Sequence, residues 1–290
     1  MVRFDIDSGR TALVMVDMQN CFVADSPVAA PLGAEVAERL NRLAGACREA
    51  GITVIWTRHV VRPDGSNTGL LGELIPPVAA GVINDDAPTA ALHPLMDVRP
   101  GDVVLGKPRF GSFHGTDLEV ILRSRGIDTL ILGGINTNVC VDTTAREATM
   151  REFRVLFLSD GTANFDLPDG GLGAASAEEL QRTACAVMAF GFAEVASVGQ
   201  VLNRIRSSPP PDPEREQVLA TRGGGKCRPP ADPSPPPCGI GVHGLFAADL
   251  HLPGEHPPAD GTDGCHSGRS RSWKVTRDSS IARLTWTQRT

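Results

Sequence analysis

Three residues of this chain could together perform nucleophilic chemistry at a carbonyl carbon: Asp17, Lys107 and Cys140. A cysteine attacks as its thiolate, so it needs a lowered pKa or a base that takes its proton. Cys140 stands where a helix is expected to open, and the partial positive charge of a helix N-terminus favours the thiolate. A lysine nearby would lower the thiol pKa further, and Asp17 could accept the proton. The backbone N–H groups between Gly133 and Cys140 precede the helix bonds and could face a developing oxyanion, an effect worth about 3–4 kcal/mol per donor. Taken singly, each residue has an ordinary reading. A cysteine at a helix start is usually inert, an aspartate at a strand end often caps a turn, and a lysine before Pro108 is usually a solvated charge. The chemical reading rests on the coincidence of all three at one edge of one sheet.

That edge follows from the hydrophobic pattern. Residues 11–17 are continuously apolar and then abruptly polar, the mark of a buried strand ending at Asp17. Further strands are expected at 52–56, 102–106, 129–132, 153–158 and 193–197. Helices are expected at 35–50, with Val36, Leu40, Leu43 and Cys47 at helical spacing, and at 117–125, 140–151 and 177–190, with a closing helix to about residue 206. Strands that are apolar throughout, each followed by a helix, predict a doubly wound three-layer α/β/α domain with a mainly parallel six-stranded sheet of order 3-2-1-4-5-6 (Rossmann-like). In such a fold ligands sit beyond the carboxyl ends of the strands, where the strand order switches. Asp17 ends strand one, Lys107 follows strand three and Cys140 follows strand four, so all three belong to that edge. The Pro- and Gly-rich residues 60–101 are too long for a plain connection and suggest a lid or a subunit contact.

The residues around this set resemble the isochorismatase-like cysteine hydrolases. Gly133-Gly134-Ile135-Asn136-Thr137-Asn138-Val139-Cys140-Val141 is similar to that family's nucleophile motif, Val16-Asp17-Met18-Gln19-Asn20 to its aspartate motif, and Lys107-Pro108-Arg109-Phe110-Gly111 to its lysine motif. The resemblance covers about residues 9–200. It implies that Asp17 deprotonates Cys140, that the thiolate forms a thioester with a small amide, and that Lys107 holds the charges in register. It also implies an oxyanion hole from the backbone N–H groups of Asn136 and Cys140, behind a cis peptide at Ile135-Asn136. Within the family, Arg58-His59-Val60-Val61-Arg62-Pro63-Asp64-Gly65-Ser66 is similar to members acting on carbamoyl or ureido compounds. Arg58 or Arg109 could pair with a substrate carboxylate, and Phe22 and Phe110 could wall a small planar substrate. Nicotinamidases of the family carry a metal on an aspartate and several histidines after strand two. Here that region has one histidine, His59, so no metal and no cofactor are expected. Vinyl-ether hydrolases of the family typically lack the cysteine, which favours amide chemistry. A binding protein that keeps the fold without turnover is the other alternative.

Composition bounds the partners. A net charge of −6 argues against nucleic acid, and no apolar run is long enough for a membrane span. The first residues lack a signal-peptide core and the seven cysteines are scattered, so a cytoplasmic protein without a disulfide framework is expected. A homo-oligomer, dimer or tetramer, is expected from the resemblance and the long 60–101 loop. The composition breaks near residue 207: thirteen of the 23 prolines lie beyond residue 206. The chain is therefore read as a hydrolase domain at 1–206 and a disordered Pro/Gly-rich tail at 207–290, with apolar patches at 244–246 and 281–286.

Overall fold

A computed structural model describes residues 2–24, 26–207, 272–278 and 281–287. Six strands, β1 (Thr11–Val16), β2 (Thr53–His59), β3 (Val103–Lys107), β4 (Thr129–Ile135), β5 (Arg154–Ala163) and β6 (Glu194–Ala196), form one sheet. Its order is β3-β2-β1-β4-β5-β6, with every pairing parallel. Eight helices accompany the strands in chain order: α1 (Asn20–Val23), α2 (Gly33–Glu49), α3 (Leu71–Leu74), α4 (Pro76–Ala79), α5 (Leu118–Ser124), α6 (Asp142–Thr149), α7 (Ala177–Gly191) and α8 (Val198–Ser207). Among the described residues no helix is long and apolar enough to cross a membrane.

The layers follow from side-chain alternation in the central strand. Every residue of β1 is buried. Leu13 and Met15 join one core with Val36, Leu40, Leu43 and Cys47 of α2 and Val201 and Ile205 of α8. Ala12, Val14 and Val16 join the opposite core with Leu118 and Leu122 of α5 and Ala145 and Ala148 of α6. A strand buried on both faces has no polar alternation, which is why β1 reads as one apolar run.

Three strands run well past their expected ends, β5 among them, which continues from Leu158 to Ala163. β4 continues through Gly133 and Gly134 instead of turning there. A Cβ on Gly134, whose φ is 126°, would lie 2.0 Å from the Val16 carbonyl oxygen, and one on Gly133 would strike Leu40 and the Gly161 carbonyl. The glycines let β4 pass between β1 and β5 to its last residue. β2 continues past Trp56 to His59, where it pairs in register with Lys107 of β3. Residues 60–101 form no plain loop; α3 and α4 lie in it, and Val61, Leu71, Val78 and Ile83 build a small core with Cys21 of α1.

Two segments near the end of the stretch expected to be disordered lie among the described residues. Strands β7 (Ser272–Asp278) and β8 (Ile281–Thr287) pair antiparallel in register from Ser272↔Thr287 to Asp278↔Ile281. Tryptophan, valine, threonine and isoleucine are strand formers, a local signal that the Pro/Gly average of the tail conceals. Residues 208–271, including the 244–246 patch, lie outside the described residues.

Candidate active site

Asp17, Lys107 and Cys140 meet at the carboxyl edge of the sheet. Asp17 follows β1 with φ 54°, a left-handed conformation that aspartate tolerates better than most residues. This turn aims its carboxylate across the strand ends. Thr57 of β2 donates from Oγ1 to Asp17 Oδ1 at 2.7 Å. Lys107 stands at the end of β3, two strands from β1, and adjacent strands are about 4.8 Å apart. Its stem crosses the end of β2 and puts Nζ 2.7 Å from Asp17 Oδ2, both side chains fully buried. Oδ2 has no aligned hydrogen-bond donor, so this contact is ionic rather than directional. Nζ also donates to the carbonyls of Arg109 at 3.0 Å and Phe110 at 2.8 Å. A buried ammonium thus has one counter-charge and two further acceptors, the condition for keeping it charged inside a protein. Burial pulls the Lys107 pKa down, but Asp17 and Cys140 outweigh it and the net shift is upward.

Cys140 departs from expectation in two ways. It lies inside a single π-type turn, Thr137–Val141, and α6 begins only at Asp142. Its thiol pKa is pushed up, not down: burial is the largest cause, the Lys107 charge opposes it, and the Asp17 carboxylate reinforces it. Desolvation of a fully enclosed thiolate outweighs one neighbouring cation that is already neutralised by a carboxylate. Cys140 therefore rests as a thiol, and any attack by its sulfur requires loss of that proton. The preceding peptide, Ile135-Asn136, is cis. The turn commits the N–H groups of Val139 and Val141 to the Asn136 carbonyl, at 3.2 and 3.1 Å. Asn138 N–H goes to Asn164 Oδ1 at 3.2 Å.

A fourth side chain shares this space. His59 ends β2 between Lys107 and Asp17, and one ligand-capable atom from each of His59, Asp17 and Cys140 lies within 4.8 Å of the others. Gln19 pins it in place: Gln19 Oε1 accepts from His59 N–H at 2.7 Å, and Gln19 Nε2 donates to the His59 and Ala90 carbonyls. Burial lowers the His59 pKa to about 3, helped by Lys107 and Arg109 and opposed by Asp17 and the Pro108 backbone. An imidazole that resists protonation this strongly is a poor base for the thiol, and the other titratable group of the cluster is the Asp17 carboxylate. Thr57, Gln19 and His59 were not singled out from sequence. The signal was the continuation of β2 through Thr57-Arg58-His59, whose alternate residues face one side.

The three-residue cluster is the one grouping of potential metal ligands among the described residues. Its donor set does not fit a catalytic cation, because Lys107 already holds a positive charge against Asp17 Oδ2.

The other sequence candidates separate. Arg58 is ion-paired with Asp85, so its charge is already matched. Arg109 is half-buried and donates to the backbone carbonyls of Asn67 at 3.0 Å and Pro108 at 2.6 Å. Phe110 packs edge-on against the His59 ring at 5.7 Å between centroids. Phe22 packs between the α2-side core and the small Cys21 core. His114 is exposed. Cys21, Cys47, Cys140 and Cys185 are free thiols.

A pH prediction follows from His59. Its pKa falls from 6.5 to about 3 on folding, so the unfolded chain binds the proton more readily. Stability carried by His59 is full above about pH 6.5 and is lost as the pH falls toward 3. The slope is about 1.4 kcal/mol for each pH unit in that window. Urea unfolding at stepped pH should show this slope shrinking in His59→Gln; equal slopes for the two proteins would refute the buried neutral state.

Comparison with known proteins gives the same segment. The family model described as Isochorismatase domain matches residues 11–200. A ureidoacrylate amidohydrolase RutB of Methylorubrum extorquens is 35% identical over 180 residues, covering 56% of this chain and 72% of that protein. Nicotinamidase 3 of Arabidopsis thaliana is 32% identical over 191 residues, covering 65% of this chain and 85% of that protein. Among solved structures, a cysteine hydrolase from Pseudomonas syringae pv. phaseolicola 1448A is 38% identical with a TM-score of 0.68, covering 71% of this chain and 97% of that one.

Proposed function

Because this chain belongs to the isochorismatase family, we propose that it is a cysteine-dependent amidohydrolase that cleaves the C–N bond of a small carbamoyl, ureido or amide compound. The observation that carries this reading is the buried Asp17–Lys107 pair beside the Cys140 thiol, with Nζ 2.7 Å from the carboxylate. A binding protein has no use for a buried base, a matched cation and a thiol in one enclosure, since burying the ions costs several kcal/mol. The relatives named ureidoacrylate amidohydrolase and nicotinamidase support the bond type.

The reaction runs in two halves. Asp17 takes the Sγ proton while sulfur attacks the carbonyl carbon, and the carbonyl π pair moves onto oxygen. Backbone N–H groups of Asn136 and Cys140 hold that oxyanion. Collapse breaks the C–N bond, and the leaving nitrogen takes the proton from Asp17. Water then gives its proton to Asp17 and its oxygen to the thioester carbon, and Cys140 is regenerated as a thiol. Lys107 stays protonated throughout and offsets the charge that moves between Asp17 and Cys140. A substrate carboxylate would meet Arg109, which among the described residues bonds backbone carbonyls and forms no ion pair.

The test is ammonia release from biuret, N-carbamoyl amino acids, ureidoacrylate, nicotinamide and maleamate, with Cys140→Ala as control. Turnover of at least one compound by the native chain and none by the variant supports the reading; equal turnover by both refutes the cysteine mechanism. The cytoplasmic location and the homo-oligomer remain part of this proposal, the latter to be read by light scattering of the full chain.

A further inference from the structure

The mechanism above assigns no task to His59, yet its side chain has what a substrate contact needs. It is 3% exposed, and among the described residues Nε2 has no hydrogen-bond partner. The Pro108 backbone raises the ring's pKa by hydrogen bonding. Proline carries no backbone N–H, so that bond can only run from a ring N–H to the Pro108 carbonyl. With Nε2 unpartnered, the donor is Nδ1, and Nε2 is left as a lone-pair acceptor. A buried acceptor without a donor is costly and is expected to find one when the site fills. A ring nitrogen lies within 4.8 Å of a carboxylate oxygen of Asp17 and of the Cys140 sulfur, which places the imidazole beside the reacting group of a bound substrate. Gln19 anchors the His59 backbone and the edge-on Phe110 ring packs against the imidazole, so the ring is preorganised.

Resting on the amidohydrolase reading of this site, we propose that His59 Nε2 accepts a hydrogen bond from the N–H2 of the scissile carboxamide or carbamoyl group. His59 is thereby a specificity residue that selects primary amide and ureido carbonyls over esters and ketones of the same shape. Holding the nitrogen through its hydrogen leaves the nitrogen lone pair to receive the proton from Asp17 as the C–N bond breaks. An ester or vinyl ether presents only acceptors at this point, and two facing acceptors repel. Discrimination of this kind is large when a site is built around a donor that the analogue lacks.

The assignment can be tested on Cys140 itself, before any substrate is known. Chloroacetamide and chloroacetone differ by NH2 against CH3, groups of nearly equal size, and both alkylate thiols. Labelling of the Cys140 peptide in the full chain is followed by mass spectrometry at one pH, with N-acetylcysteine as the free-thiol reference. The native chain should favour chloroacetamide about tenfold beyond the free-thiol ratio. His59→Leu should return the ratio to the free-thiol value with the chloroacetone rate within twofold of native. His59→Asn, whose side-chain carbonyl still accepts, should restore the preference. A native ratio equal to that of the free thiol, or a preference that survives in His59→Leu, overturns the assignment. If His59→Leu is misfolded, its chloroacetone rate reveals this, and the native ratio with His59→Asn still decides. No ammonia from any compound of the amide panel, with the labelling preference intact, would defeat the hydrolase reading and leave the carboxamide contact standing.

Discussion

Replacing Cys140 by alanine is expected to lower kcat/KM for the accepted amide by at least about 10⁴-fold, the loss seen when a covalent nucleophile is removed and only binding and oxyanion contacts survive. The fold should persist. Cys140 is 4% exposed, and trading its sulfur for a small void costs about 1 kcal/mol, well below what unfolds a domain of this size. Circular dichroism and urea midpoint therefore stay near native while turnover disappears. The raised thiol pKa sharpens this prediction. A resting thiolate would absorb near 240 nm at neutral pH; the native chain minus Cys140→Ala should show no such difference between pH 6 and 8. A thiolate signal in that window would mean that the helix-start effect outweighs burial, contrary to the enclosure seen around Sγ. Substantial activity in Cys140→Ala would remove the nucleophile from the mechanism altogether.

Lys107→Met should act on stability as strongly as Cys140→Ala acts on turnover. The methionine fills the stem's volume but leaves the Asp17 carboxylate fully buried without its cation. Breaking a buried pair by removing one partner costs about 3–5 kcal/mol. Urea unfolding at pH 7.5 should show a loss of that size. The double variant Asp17→Asn with Lys107→Met should recover a large part of it, because no unmatched charge remains. The recovery isolates the pair from the packing around it, since the carbonyls of Arg109 and Phe110 lose their donor in both variants. Activity should be absent in both. A single variant as stable as the native chain would show that Asp17 is not held as a charge by Lys107, and with it the electrostatic logic of the site would fail.

These two outcomes differ because the residues are bound into the molecule differently. Cys140 lies buried in the turn after β4, and its proposed task is chemical. Lys107 crosses the ends of three strands and ties together the two sides of the site. Evolution of a charge into such a position is expensive in stability, and the return is a base whose charge is balanced at each step of proton movement.

What the amino-acid order determined by itself is the set of local patterns: apolar runs for strands, 3.6-residue periodicity for α2, and three ordered motifs that place Asp17, Lys107 and Cys140 at one sheet edge. The strand order followed too, because short right-handed crossovers and doubly covered strands leave few alternatives. Other properties needed the third dimension. The passage of β4 through Gly133-Gly134 depends on Val16, Leu40 and Gly161, which lie far off in the chain. The reach of β2 to His59 depends on register with Lys107 and on Gln19 after β1. The direction of the Cys140 pKa shift depends on how completely the site is closed, a quantity no local motif encodes; placement at a helix start suggested a lowered value, and burial reversed it. Arg58 and Arg109 look alike as residue types, and only Asp85 beside the first distinguishes them. Nucleophile, base and cation are legible because covalent chemistry demands particular residue types. Charge state and selectivity are not, because they are set by what surrounds those residues and by how much water is kept out.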